Sequence, residues 1–447
     1  MAETTVLRPE WVWTAAGLRT DAAVVVSGST LRVEPDARHA ATPRLSGRLL
    51  LPGFVNVHSH AFQRAFRGRV QYRAADRDDF WTWREAMYRT ALSLDPDGVE
   101  AVSALAFLEM AEAGFTRVGE FHYLHRAPDG SAYADPDELT HRIFAAAEQV
   151  GIGVTLLRVA YERSAPGKPL RPEQIRFRDD HVEDVLAAAH RMRERVSGTT
   201  RVGVAPHSVR AVSAEGLRVF AAWDGLVHAH VSEQPNDNET CLAEHGRSPL
   251  AVLDDAGLVH ERFTAVHLTW PLPGDVDRLA NAKGSLCVCP STELDLGDGF
   301  LPVEARLRLA CCIGTDSQAV LEPLTEARAL ELHARPLAGR RNVLAPLGEG
   351  SGLAERILHA ASTVGDRALG GDGTGIADGA PADLVLLDLR RPAAEGVPPL
   401  EAAAFVSTPA WVEEVWIAGR RIVSAGVHAR RDAIVSAARP YLSSTSA

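Results

Sequence analysis

The feature that most constrains this chain is an alternation. From residue 54 onward, β-rich runs recur eight times: FVNVHSH (54), TRVGEFHYL (116), GVTLLRVAY (153), TRVGVAPHS (200), LVHAHVSE (226), FTAVHLTW (263), SLCVCPST (285) and LACCIGTDS (309). Between them lie segments with helical apolar spacing, such as VEAVSALAFLEMAEAG, ELTHRIFAAAEQVG, HVEDVLAAAHRMRERV and SPLAVLDDAG, several closed by the glycine that helix ends favour. Eight such units over about 300 residues predict an α/β fold, a (β/α)8 TIM-like barrel, with a doubly wound sheet as the competitor. The barrel is preferred because the count reaches eight and no G-x-G-x-x-G follows a strand.

The flanks have a different texture. Residues 22–50 and 383–424 show period-two alternation broken by turn residues, as β-hairpins do. Both chain ends are therefore expected to build one small β-sandwich, from residues 1–51 and 373–447, beside a barrel over 52–372. A chain of 447 residues with 46% hydrophobic content can bury one large core and a second, smaller one. The stretch from Arg67 to Leu94, which contains DDFWTWREAMY, is expected to be a long loop serving as a lid or interface, since a barrel does not need it.

Several function classes are disfavoured. The net charge is −11 and no Lys/Arg block occurs, so no nucleic-acid surface is expected, and an anionic ligand would need a local cationic pocket. No apolar run approaches the roughly 18 to 20 residues of a membrane span, and the start MAETTVLRPEWVW lacks a signal-peptide pattern, so a cytoplasmic location is expected. Five cysteines without C-x-x-C spacing read as buried small hydrophobes rather than a disulfide or zinc framework.

The chemistry gathers at the strand ends. Residues two apart on a strand share a face, so His58 and His60 present two imidazoles to one point at the carboxyl end of strand one, where barrel sites are built. A lone H-x-H is weak evidence, because core histidines are common. Here other strand ends carry compatible groups: His230 and Glu233 after strand five, His267 at strand six, Asp316 at strand eight. Three imidazoles and one carboxylate suit a borderline cation such as Zn2+ with an open position, the pattern of a catalytic site. His58, His60, His230 and Asp316 form the better ligand set, leaving His267 and Glu233 for proton transfer. Strand four has no lysine to bridge a second ion, so one Zn2+ per chain is expected, with another divalent metal such as Fe2+ as the alternative. His228 shares the face of His230 but lies deeper and reads as a core histidine.

These residues resemble the amidohydrolase superfamily, whose barrel opens with PGF-x-x-x-H-x-H and ends on an aspartate ligand. The likeness spans the chain, including PADLVLLD at 381. More narrowly, HSHAFQRAFRG, FWTWREAMY, GEFHYLH, APHSVRAVS, HVSEQ and CPSTELDLGDG resemble the superfamily's iminohydrolases of N-formimino-L-glutamate, which release ammonia and leave N-formyl-L-glutamate in histidine breakdown. That resemblance implies catalytic roles for His267, Glu233 and Asp316, and places Gln63 and Glu233 around the formimino group. It implies that Arg84, Tyr123, His207 and Arg210 hold the two substrate carboxylates, and that the protein is a homodimer. An acidic protein binding a dicarboxylate must supply cations locally, and arginine forks fit carboxylates. Of His122 and Tyr123, alternation sends one inward, and the resemblance favours Tyr123. Glu120 and His125 read as supporting residues. The chain departs from the pattern at Leu294-Asp295, where Ala-Asn is expected, and at Gln318, where histidine is. The competing readings are a mononuclear zinc deaminase of an aromatic base or nucleoside, and a non-catalytic amidohydrolase-like scaffold.

Overall fold

The computed structural model describes residues 4–72, 80–348 and 350–443. The eight predicted strands are present: β1 (Phe54–Ser59), β2 (Phe115–His122), β3 (Gly153–Ala160), β4 (Thr200–Pro206), β5 (Val227–Val231), β6 (Phe263–His267), β7 (Ser285–Val288) and β8 (Ala310–Ile313). They form one sheet in sequence order with every neighbouring pair parallel. At the carboxyl end, β1 meets the turn after β8: the Thr315 and Asp316 N–H groups donate to the His58 carbonyl at 3.0 and 2.9 Å, and the His60 N–H donates to the Asp316 carbonyl at 3.1 Å. These bonds close the barrel, and they fix Asp316 beside the two histidines.

The helices form where apolar residues recur on one face. Glu138–Val150 buries Leu139, Ile143, Ala146, Ala147 and Val150, and stops at Gly151, which takes φ 81° and donates its N–H to Ala147. Every residue of β2 and β3 is buried, as strands covered on both faces must be. Inside the barrel, Cys287, Cys289 and Cys312 pack with Val55, Val57 and Val266 as free thiols, and the His228 ring meets the Ala368 carbonyl at 3.1 Å.

Both chain ends contribute to a separate β-domain. One sheet pairs Thr4–Leu7, Ala22–Ser27 and Thr30–Pro35; the other includes Pro9–Thr14, Leu45–Pro52, Leu384–Asp388 and Val412–Ile417. Leu7, Val24, Val26 and Leu31 of the first pack against Val12, Leu50, Leu384, Leu386 and Trp416 of the second. The barrel with a two-ended β-domain is thus the fold expected from sequence.

The Arg67–Leu94 stretch corrects that expectation. Its second half is a helix, α1 (Phe80–Ser93), not a loop. Asp78 and Asp79 of its quoted run fall within 73–79, outside the described residues. The helix buries Met87, Tyr88, Thr90 and Ala91, and Trp83 packs on Phe66 with ring centroids 5.8 Å apart. Tertiary packing, rather than a strong local apolar period, holds it in place. Among the described residues, no helix is long and apolar enough to cross a membrane.

Candidate active site

The strand ends bring His58, His60, His230 and Asp316 together, with their ligand atoms all within 4.8 Å of one another and all four residues buried. His58 Nε2 and His60 Nε2 each lie 3.1 Å from Asp316 Oδ1, and His230 Nε2 lies 3.1 Å from His58 Nε2. Second contacts aim two of the rings. His60 Nδ1 is 3.0 Å from the Phe121 carbonyl, and His230 Nδ1 is 3.0 Å from the His207 carbonyl. A carbonyl only accepts, so each Nδ1 carries the proton and each Nε2 turns a lone pair inward. Inward imidazole nitrogens grouped around a carboxylate fit a divalent cation. Burial raises the Asp316 carboxyl, but its contacts with His58 and His60 outweigh it and hold it well below its ordinary value.

Beside this cluster, a second group joins Asp316 to Glu233 and His267. His267 Nε2 lies 3.7 Å from Glu233 Oε1 and has no hydrogen-bond partner among the described residues, while Nδ1 lies 3.4 Å from Glu293 Oε1. Burial pulls the imidazole pKa down, but the carboxylates of Glu233 and Glu293 outweigh it and raise it well above its ordinary value. Burial pushes the Glu233 carboxyl up to about 7. Glu293, which also accepts from the Cys289 N–H at 2.9 Å, escaped the sequence reading. The only signal for it was an acidic residue four positions after Cys289, in CPSTELDLGDG.

The backbone is strained where these groups sit. Ser232, His267, Leu268, Asp316 and Gln318 all take positive φ, between 45° and 70°. Non-glycine residues adopt this region at a cost, and the surrounding structure must impose it. Behind His58 and His60, Glu120 accepts from Ser59 Oγ and the Ala61 N–H, both at 2.8 Å, and Gln318 Nε2 donates to Ser59 Oγ at 2.9 Å. Glu120 and Gln318 therefore brace the H-S-H turn.

The residues assigned to substrate carboxylates form one continuous cluster at the barrel mouth. Gln63 Nε2 donates to the Tyr123 hydroxyl at 3.0 Å, and its buried Oε1 has no partner among the described residues. The His207 ring lies between Tyr161 and His230, with centroids 4.6 and 4.7 Å away. Arg210 Nη1 donates to the Tyr161 hydroxyl at 3.3 Å. Arg84, on α1, stacks over Trp81 with its guanidinium carbon 4.4 Å from the ring centroid, and lies 5.5 Å from that of Tyr88. Gln174 links the two arms by donating to both the Tyr88 and Tyr161 hydroxyls at 2.9 Å. Tyr88, Tyr161 and Gln174 were not singled out from sequence. Their buried polar tips pair only through the fold. His122 instead packs against His125, with centroids 5.4 Å apart.

Comparison with known proteins agrees with this architecture. The amidohydrolase family model matches residues 49–422. The formimidoylglutamate deiminase of Pseudomonas aeruginosa is 37% identical over 419 residues, covering 91% of both chains. A 5-methylthioadenosine/S-adenosylhomocysteine deaminase of Thermodesulfovibrio yellowstonii is 25% identical over 394 residues, covering 85% of this chain and 81% of the relative. The crystal structure of an amidohydrolase from Brucella melitensis superimposes with a TM-score of 0.90 at 34% identity, covering 98% of this chain and 99% of the other. By family match, by relatives and by fold, the chain belongs to the amidohydrolase family, as a hydrolase acting on a carbon–nitrogen bond.

Proposed function

We propose that this chain is a zinc-dependent iminohydrolase that converts N-formimino-L-glutamate and water to N-formyl-L-glutamate and ammonia. The observation that carries the reading is a pair of largely buried guanidiniums, Arg84 and Arg210, each with a buried Nε that lacks a hydrogen-bond partner among the described residues. Arg210 Nε has Asp237 Oδ1 3.7 Å away, and burial together with the charge of Arg210 depresses the Arg84 pKa, so the two cations share one region. Carboxylates are the ligands that relieve such crowding, through forked hydrogen bonds. The Pseudomonas aeruginosa relative, whose name states this substrate, supports the same choice.

His58, His60, His230 and Asp316 would hold the ion, and their N3O donor set favours zinc. When bound, zinc lowers the pKa of water from about 15.7 to about 7 and so supplies the nucleophile at neutral pH. The chain's own groups do the rest. Arg84, Arg210, His207 and Tyr123 anchor the dicarboxylate end. Gln63 Oε1, free of other partners among the described residues, accepts from a formimino N–H, and Glu233 balances the amidinium charge. Asp316 takes up the proton of the attacking water, and the Glu233–His267 pair, whose imidazole the carboxylates of Glu233 and Glu293 hold protonated, returns one to the departing nitrogen.

The test is ammonia release with product identification. Zinc-loaded protein is expected to form ammonia and N-formyl-L-glutamate from N-formimino-L-glutamate, and to leave adenosine, S-adenosylhomocysteine, guanine and cytosine untouched. Formation of free glutamate, or turnover of the bases and nucleosides alone, overturns the reading.

A further inference from the structure

Asp298 is a carboxylic acid that the site described so far does not use. It is 1% exposed and sits in the loop after the Pro290–Asp295 helix. The loop is pinned on three sides: the Asp298 N–H donates to the Glu293 carbonyl at 2.9 Å, Trp270 Nε1 donates to the Asp298 carbonyl at 2.8 Å, and Gln234 Nε2 donates to Oδ1. The other oxygen, Oδ2, is buried and has no hydrogen-bond partner among the described residues. A polar oxygen left bare in an interior is costly, and a rigid loop that holds it there calls for a ligand.

The surroundings say which donor. Gln234, the residue that grips Oδ1, directly follows Glu233. Burial and then the charge of Glu233 push the Asp298 carboxyl up to about 10, with His267 acting in the opposite sense. Glu293 and Asp316 add to the same crowding of acids. A cationic ligand with N–H groups satisfies the bare oxygen and relieves the crowding at once; a neutral donor does only the first, and an anionic acceptor neither.

We propose that Asp298 is a further substrate-binding residue, whose Oδ2 accepts a hydrogen bond from the formimino nitrogen that departs as ammonia. The inference rests on the iminohydrolase reading above. The terminal nitrogen of the amidinium carries two hydrogens, one for Glu233 and one for Asp298. Once that nitrogen has left, the product offers Asp298 no donor. Asp298 therefore favours the substrate over the product and contributes nothing to holding the dicarboxylate end.

Asp298→Asn keeps the size of the side chain and an Oδ1 acceptor for Gln234, and Asp298→Ser removes the carboxyl with less bulk. Each variant and the wild type are compared in kcat/KM for N-formimino-L-glutamate, in the inhibition constant of N-formyl-L-glutamate, and in zinc content and thermal midpoint. The expected result is a fall in kcat/KM of at least about tenfold, as loss of a charge-assisted hydrogen bond implies. The inhibition constant stays within about twofold, since the product never touches Asp298. Unchanged kcat/KM in both variants overturns the inference alone, as does an equal weakening of substrate and product in the variant that retains zinc and the wild-type midpoint. A wild type inactive on N-formimino-L-glutamate overturns the substrate reading and this inference with it.

Discussion

At His267 each ring nitrogen faces a different carboxylate, so the two can be removed separately. Glu233 lies on the Nε2 side at 3.7 Å, and Glu293 on the Nδ1 side at 3.4 Å. In the proposed mechanism Glu233→Gln deletes a proton carrier without touching a proposed metal ligand, and turnover is expected to fall by about 100-fold or more, the usual worth of a general acid–base group. Zinc content, measured by elemental analysis, stays at one per chain; near-normal turnover would remove Glu233 from the proton path. Glu293→Gln is a milder change, because the amide oxygen still accepts from the Cys289 N–H. With the charge behind the imidazole gone, kcat is expected to drop about tenfold with little change in KM, the mark of an interaction felt in the transition state. A KM effect alone would make Glu293 a structural residue.

At the scale of elements, two contacts tie the site to the scaffold. Gly314, just after β8, lies against β1 and β7: a Cβ there would stand 2.8 Å from His58 Cβ, 2.9 Å from Cys289 Sγ and 3.0 Å from Cys287 Sγ. None of the three is the loose end of a long side chain. Gly314→Ala is therefore expected to cost about 1–3 kcal/mol in unfolding free energy and to weaken zinc binding by shifting His58, checked by denaturant melts and metal titration. Wild-type metal affinity would show that β1 and β8 yield more easily than their packing implies. The second contact is Gln174, which couples α1 to the residue after β3 through the Tyr88 and Tyr161 hydroxyls. Gln174→Leu loosens the spacing of Arg84 and Arg210 and leaves the metal end alone. KM for the proposed dicarboxylate substrate is expected to rise about tenfold with kcat within about threefold, the signature of lost ground-state binding.

For the molecule as a whole, the ion is expected to brace the barrel seam. Three of the proposed ligands, His58, His60 and Asp316, lie where β1 meets the end of β8, and the fourth, His230, lies near the end of β5 across the barrel. Binding to the folded chain alone stabilises it by about 2.7 kcal/mol at a free concentration 100 times Kd. Chelation should therefore lower the thermal midpoint, and added zinc should restore it together with activity. A midpoint indifferent to chelator would mean that the backbone hydrogen bonds across the seam suffice by themselves.

The sequence by itself determined the barrel and its β-domain, because the eightfold alternation and the paired hairpin textures are local patterns that repeat. It also determined which imidazoles could meet. His58 and His60 are two apart on one strand, and the ends of parallel barrel strands converge on one rim, so His230 and Asp316 join them once the strands are counted. Tertiary structure alone decided the rest. Helix α1 gains its order from burial of Met87 and Tyr88 rather than from a strong local period, and so read as a loop. Glu293, Asp298 and Gln174 lie in loops and short helical turns, where a polar residue gives no sign of burial. Each is placed by what it meets: Glu293 by His267, Asp298 by Gln234 and Trp270, and Gln174 by the two tyrosine hydroxyls. Those pairings join residues distant in sequence, so no local spacing encodes them, and only the closed barrel brings them together.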